Sequence, residues 1–113
     1  MPKGIFVVLT DPADPSREQD YNQWYDTVHG PEIVALPGFT AFSRFKLAAD
    51  ARRPEGTPEY CAVYEMESDD LDATIGGMMK AIGAGELHMS DALKLDPPPT
   101  MLLYEVVTER TAG

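Results

Sequence analysis

Between Tyr21 and Glu32 the chain reads Tyr-Asn-Gln-Trp-Tyr-Asp-Thr-Val-His-Gly-Pro-Glu, which crowds hydrogen-bonding aromatics, a carboxylate pair and an imidazole into about three helical turns. Buried Trp and Tyr need partners for their N–H and O–H groups, so such a wall suits a small ring-shaped ligand. His29 is the leading candidate for acid–base work, because an imidazole titrates near neutrality and both accepts and returns a proton. Asp26, three residues earlier, is placed to accept an N–H from that ring, and Tyr25, four residues earlier, shares the same side. At about 100° per residue His29 falls roughly 80° from Tyr21, on the border of the buried face. The alternative for it is a helix-end histidine that favours the negative end of the dipole.

The neighbouring groups are also open to two readings. Glu32 falls roughly 20° from Tyr21 if the helix continues past Pro31. There it is a general acid with a raised pKa, a partner for Arg44 or His29, or a structural ion pair. Tyr21, Trp24 and Tyr25 are core or ligand wall, and Asn22 orients a carbonyl or faces water. His88 reads as a surface or packing residue. Two distant histidines without clustered carboxylates or a cysteine motif are poor material for zinc, so no metal is expected. No Gly-x-Ser-x-Gly or phosphate-cradling glycine loop is present.

The 113 residues fit one domain, residues 1–113, able to bury a core without disulfides or metal. A formal net charge of −10 disfavours nucleic acid and anionic membrane as partners. Arg44, Lys46, Arg52 and Arg53 read as a solvated edge and loop, with an anionic ligand as the alternative. Cys61, the single cysteine, reads as a buried structural thiol in an apolar strand. The apolar run from Ile5 to Leu9 is too short for a signal or membrane span, which implies a cytoplasmic protein. Both termini read as frayed.

Those candidate residues need elements to position them. Gly4 to Thr10, Phe39 to Leu47, Tyr60 to Met66 and Met101 to Thr108 read as strands. The first helix starts either at Ser16, which forms a capping box with Gln19, or at Asp14 followed by Pro15, and it ends or kinks at Gly30-Pro31. Ser68 with Asp69, Asp70 and Asp72 opens a second helix, whose stripe is Leu71, Ile75, Met78, Met79 and Ile82. Leu36-Pro37-Gly38 is a turn, 48–58 a polar hairpin loop, and 86–96 holds a further short helix. The order is βαββαβ, the ferredoxin-like α+β arrangement, with a four-stranded antiparallel sheet and two helices on one face. Strands one, three and four are apolar on both faces, whereas a half-solvated sheet alternates. The second face therefore calls for a cover, and another copy of the chain is the simplest one.

Trp24-Tyr25-Asp26, His29, Glu32, Pro37-Gly38-Phe39 and Arg44-Phe45, set between the first two strands, resemble the dimeric α/β-barrel superfamily and its EthD-like branch. The resemblance spans the chain as a fold and residues 21 to 45 as a motif. It implies that two copies pair sheet to sheet, with a small-molecule pocket between the sheet and helices of each protomer. The superfamily includes cofactor-free oxygenases of polycyclic aromatics, polyketide cyclases, muconolactone-type isomerases, haem-degrading enzymes and members without established activity. Haem ligation by His29 lies within that range, but an acidic chain offers little to haem propionates.

The resulting expectation is a cofactor-free homodimeric enzyme, of the cyclase-type lyase or isomerase class, acting on a hydrophobic aromatic or polyketide-like carbonyl compound. In it His29 is general acid/base, Asp26 orients its ring, and Tyr25 and Asn22 hold the carbonyl or enolate oxygen. Trp24, Phe42, Phe45, Met78 and Met79 wall the pocket, Met89 and Met101 adjust its shape, and Tyr21, Glu32 and Arg44 are further substrate-binding candidates. The alternatives are cofactor-independent oxygenation of a bound aromatic, and a non-catalytic stress protein that sequesters an apolar metabolite.

Overall fold

Strand β1 (Lys3–Thr10) turns Phe6, Val8 and Thr10 to one side of the sheet, where they are buried, and Ile5, Val7 and Leu9 to the other, where they are half-buried. The computed structural model describes residues 2–49 and 52–112, so Asp50 and Ala51 of the 48–58 loop and the two terminal residues lie outside the described residues. Strands β2 (Phe39–Lys46), β3 (Tyr60–Glu67) and β4 (Thr100–Glu105) complete an antiparallel sheet of order β2-β3-β1-β4. The last strand stops three residues short of the sequence expectation. Its partner β1 begins at Lys3, whose carbonyl accepts from Val106 N–H, and the residue next outward, Pro2, has no N–H to donate and gives its carbonyl to Ser68 N–H instead.

Asp14 is the cap that opens the first helical rod. Its carboxylate accepts the Ser16 N–H at 2.9 Å and Pro15 takes the first helical position, so the Ser16–Gln19 alternative is not used. The rod comprises a 3₁₀ turn (Pro15–Arg17), α1 (Glu18–Trp24), a π-helical turn (Tyr25–His29) and α2 (Gly30–Val34). Helix α3 (Leu71–Gly83) is capped by Asp70, whose carboxylate accepts from Ala73 N–H at 3.0 Å. Ala81 joins its buried stripe, whereas Met79 does not. The segment 86–96 is irregular rather than helical, because its backbone pairs outward: Ala13 N–H donates to Ala92 and Lys94 N–H to Asp11.

The core lies between the inner sheet face and the helices. Phe6, Tyr64 and Met66 of the sheet meet Tyr21 and Ile33 of the rod and Met78 of α3. Gly30 permits the closest approach of rod to sheet, since a β-carbon there would lie 2.1 Å from Phe42 Cζ. Gly38, at φ +89°, makes the turn into β2.

Candidate functional site

The rod carries the site because it does not end at Gly30-Pro31. A proline inside an α-helix loses a hydrogen bond and collides with the carbonyl four residues back. Here the turn before Pro31 is widened, and Gly30 N–H bonds to the Tyr25 carbonyl five residues back. The extra residue displaces everything beyond it by about one position, roughly 100° round the axis. His29 thus moves from the border of the buried face into it, at 8% exposure, and Ile33 follows at 0%. The same rotation carries Glu32 out of the buried stripe.

A cavity of about 210 Å³ lies between rod, sheet and α3, with His29, Tyr25 and Tyr64 on its wall. Phe6, Val8 and Met101 come from the sheet, and Met78, Met79 and Ile82 from α3. Met89, Leu93, Leu95 and Pro99 close the remaining side from the irregular segment. Of the polar lining groups, Thr10 is hydrogen-bonded to the Tyr21 hydroxyl. His29 Nδ1 and the Tyr64 hydroxyl are fully enclosed and have no hydrogen-bond partner. Each such group costs about 1–3 kcal/mol when unpaired.

Aromatic packing fixes the imidazole. The Trp24 ring stacks on it at 4.5 Å and 20°, and Tyr25 meets it edge-on at 5.2 Å. Burial among these rings pushes the His29 pKa down to about 4, with the Glu32 charge pulling weakly the other way. Burial likewise raises the Tyr25 and Tyr64 hydroxyls and brings Tyr21 to about 12.

The structure brings together His29, Tyr25, Trp24, Met78 and Met79 but scatters the other predicted site residues. Asp26 does not reach His29: it is exposed and pairs with Arg44 at 2.7 Å. Asn22 bonds Arg44 at 2.9 Å and the Tyr60 hydroxyl at 3.3 Å, away from the cavity. Arg44 is not a solvated cation, since its side chain is 11% exposed and stands 4.6 Å over the Tyr25 ring. Burial opposes its charge, yet Asp26 holds its pKa above the usual value. Lys46 and Arg53 are paired with Glu18 and Glu59.

Phe42 stacks on Tyr64 at 6.0 Å beneath Gly30 and outside the cavity wall. Phe45 and Phe42 cannot share a pocket, being three residues apart in a strand of period two. The register puts Phe45 beside Cys61 on the outer face, 55% exposed. Cys61 is therefore half-buried on that outer face, where burial raises its pKa, rather than in the core.

Glu32 has His88 as its partner, accepting from its backbone N–H at 2.9 Å and meeting its ring Nδ1 at 2.7 Å. These bonds hold the Glu32 carboxyl below its usual range. Trp24 Nε1 donates to the His88 carbonyl at 2.7 Å, so His88 anchors the segment that walls the cavity. Tyr64, Leu93 and Leu95 were missed by sequence reasoning. Only Tyr64 left a signal, the alternation Tyr60, Ala62, Tyr64, Met66 on one face of β3.

No protein-family model and no curated protein matches the chain. Among solved structures it is similar to the haem degrader MhuD from Mycobacterium tuberculosis, whose active site holds two haems. That likeness has 19% identity, a TM-score of 0.63, and coverage of 96% of this chain and 99% of the other. An ethyl tert-butyl ether d (EthD) family protein from Bacillus halodurans aligns at 16% identity and TM-score 0.60, covering 95% and 100%. HapK from Hahella chejuensis gives 14% and 0.59, covering 97% and 98%. Identities at this level carry the fold and not the reaction. The chain has the ferredoxin-like α+β fold that these proteins share.

Proposed function

We propose that this protein is a cofactor-free enzyme that binds a small apolar ring compound and uses His29 as proton acceptor in a cyclisation, isomerisation or elimination. The observation that carries the reading is a buried, unpaired imidazole on the wall of an otherwise apolar cavity. With its pKa at about 4, His29 is uncharged at neutral pH and free to accept a proton, as a weaker base than an ordinary imidazole until a ligand anion forms beside it. Taking a proton from the ligand leaves an anion beside the new imidazolium, and that pair stabilises the charge in a dry site. Positioned proton transfer is worth ~10²–10⁴-fold, which suits an activated C–H. Tyr25, also on the cavity wall, is the hydroxyl offered to the ligand oxygen. Haem does not fit this cavity. No Lys or Arg lines it to meet propionates, and about 210 Å³ holds one or two rings rather than a four-ring macrocycle.

The test is solvent deuterium exchange at the activated C–H of small aromatic ketones and lactones, followed by NMR. Wild-type exchange that falls by ~10²-fold or more in His29→Gln supports the reading. Equal exchange in both proteins ends it. Cofactor-independent oxygenation is the second reading, favoured by an apolar wall that accommodates dioxygen beside a bound aromatic. Oxygen uptake without added metal or flavin would select it. Sequestration without chemistry would leave ligand affinity and no turnover.

A cytoplasmic homodimer belongs to the same reading. Among the described residues no helix is long and apolar enough to cross a membrane. The outer sheet face is apolar at its centre, where Val7 sits between Val63 and Leu102 and Leu9 beside Cys61. Phe45 and Tyr104 extend it at 55% and 53% exposure. A second copy laid on this face would cover them.

A further inference from the structure

We infer that the ring compound bound in this cavity carries an unbranched alkyl chain, which leaves through the cavity mouth and lies on a collar formed by Met79, Met89, Leu95 and Met101. This rests on the cavity reading above and narrows its substrate class to ring carbonyl compounds with an apolar tail.

Exposed apolar side chains are ordinary when scattered singly, whereas a contiguous group of them marks a binding surface. Among the described residues nine large apolar side chains are exposed, and four of them line this one cavity: Met79, Met89, Leu95 and Met101, at 39%, 47%, 64% and 45%. They come from three separate parts of the fold, α3, the irregular segment and β4, where Met101 pairs with the inward-facing Val8. Each gives part of its surface to the cavity and the rest to the outside, so the apolar lining continues out through the mouth. Phe45, Leu102 and Tyr104, in contrast, are on the outer face of the sheet and belong to a separate surface.

Volume and side-chain type decide what occupies the collar. A cavity of about 150 Å³ holds benzene, and this one has about 210 Å³, so a ring and its carbonyl take most of it. A longer substituent then has to leave by the mouth. Three of the four collar residues are methionines, whose unbranched, flexible side chains part around an irregular guest. An alkyl chain suits them because it brings no polar group to be desolvated. A fully buried methylene favours binding by about 4-fold, and a chain resting on a collar is covered on one side only, for about 2-fold per methylene.

The test measures the affinities of propiophenone, pentanophenone and heptanophenone by calorimetry at neutral pH. The three share an activated C–H beside the carbonyl and differ only in chain length. Wild type should bind about 2-fold more tightly per added methylene, or about 15-fold from the shortest to the longest. Methionine-methyl NMR gives a second readout: the Met89 and Met101 signals should shift further as the chain lengthens, while that of Met66, buried in the core off the cavity wall, stays in place. The Met89→Gln/Leu95→Gln variant should lose most of the increment, with circular dichroism showing that it folds; if it does not fold, the wild-type series and the methyl shifts decide. Equal affinity along the wild-type series, an increment unchanged in the folded variant, or no binding by any of the three ketones overturns the inference. So does a halved mass of the variant in light scattering, which would make the collar a contact between copies. A chain-length increment without His29-dependent deuterium exchange upholds the inference and sinks the catalytic reading. Exchange on propiophenone with equal affinities along the series does the reverse.

Discussion

The buried imidazole makes stability depend on pH in a window that few other groups share. A histidine of ordinary pKa near 6.5 in the unfolded chain and about 4 in the folded protein binds its proton first in the unfolded state. Stability is therefore fully present above pH 6.5 and is lost as pH falls toward 4. At about 1.4 kcal/mol per pH unit, lowering the pH from 7 to 5 removes about 2 kcal/mol from a domain whose total stability is of order 5–15 kcal/mol. The carboxylates held low by their partners, Asp14, Glu18, Glu32 and Asp91, give up their stabilisation only at lower pH. Urea denaturation followed by circular dichroism at pH 7 and pH 5 measures the loss. Running His29→Gln in parallel isolates this residue from His88, because the variant should lose about 2 kcal/mol less than wild type over the interval. Equal losses in the two proteins would refute the claim that His29 folds into a dry, uncharged position.

Gly30→Ala gains about 1 kcal/mol of helix propensity but drives a methyl into the Phe42 ring, an overpacking cost of about 1–3 kcal/mol. A net loss of about 1 kcal/mol by urea denaturation, relieved in the Gly30→Ala/Phe42→Leu double variant, is the expected outcome. Asp70→Ala should cost about 1 kcal/mol through loss of the α3 cap, with the cavity unaffected. Glu32→Gln weakens the hold on His88, so amide exchange should quicken at His88 while the β3 amides keep their protection. Val63→Glu on the outer face should halve the mass seen by light scattering and leave ligand binding in the cavity intact.

Local chemistry made the strands, the Leu36-Pro37-Gly38 turn and the acid-capped second helix legible in the chain, because each depends on neighbours within a few residues. The pattern Tyr21, Trp24, Tyr25 announced a buried aromatic wall for the same reason. Angles counted along an ideal helix failed at Gly30-Pro31, where the chain kept its helix by widening one turn, and that single residue of slippage decided which way His29 and Glu32 face. Partners were equally hidden. Asp26 took Arg44 from a strand 18 positions on, and Glu32 took His88 from 56 positions on. A charge pairs with whatever the fold brings nearest, and spacing along the chain says nothing of that. The sequence alone thus determined the topology and the residue types available for chemistry. Tertiary packing decided that one imidazole would stand uncharged and unpaired on the wall of an apolar cavity, because only the folded sheet, rod and loop together exclude the water that would otherwise pair with it.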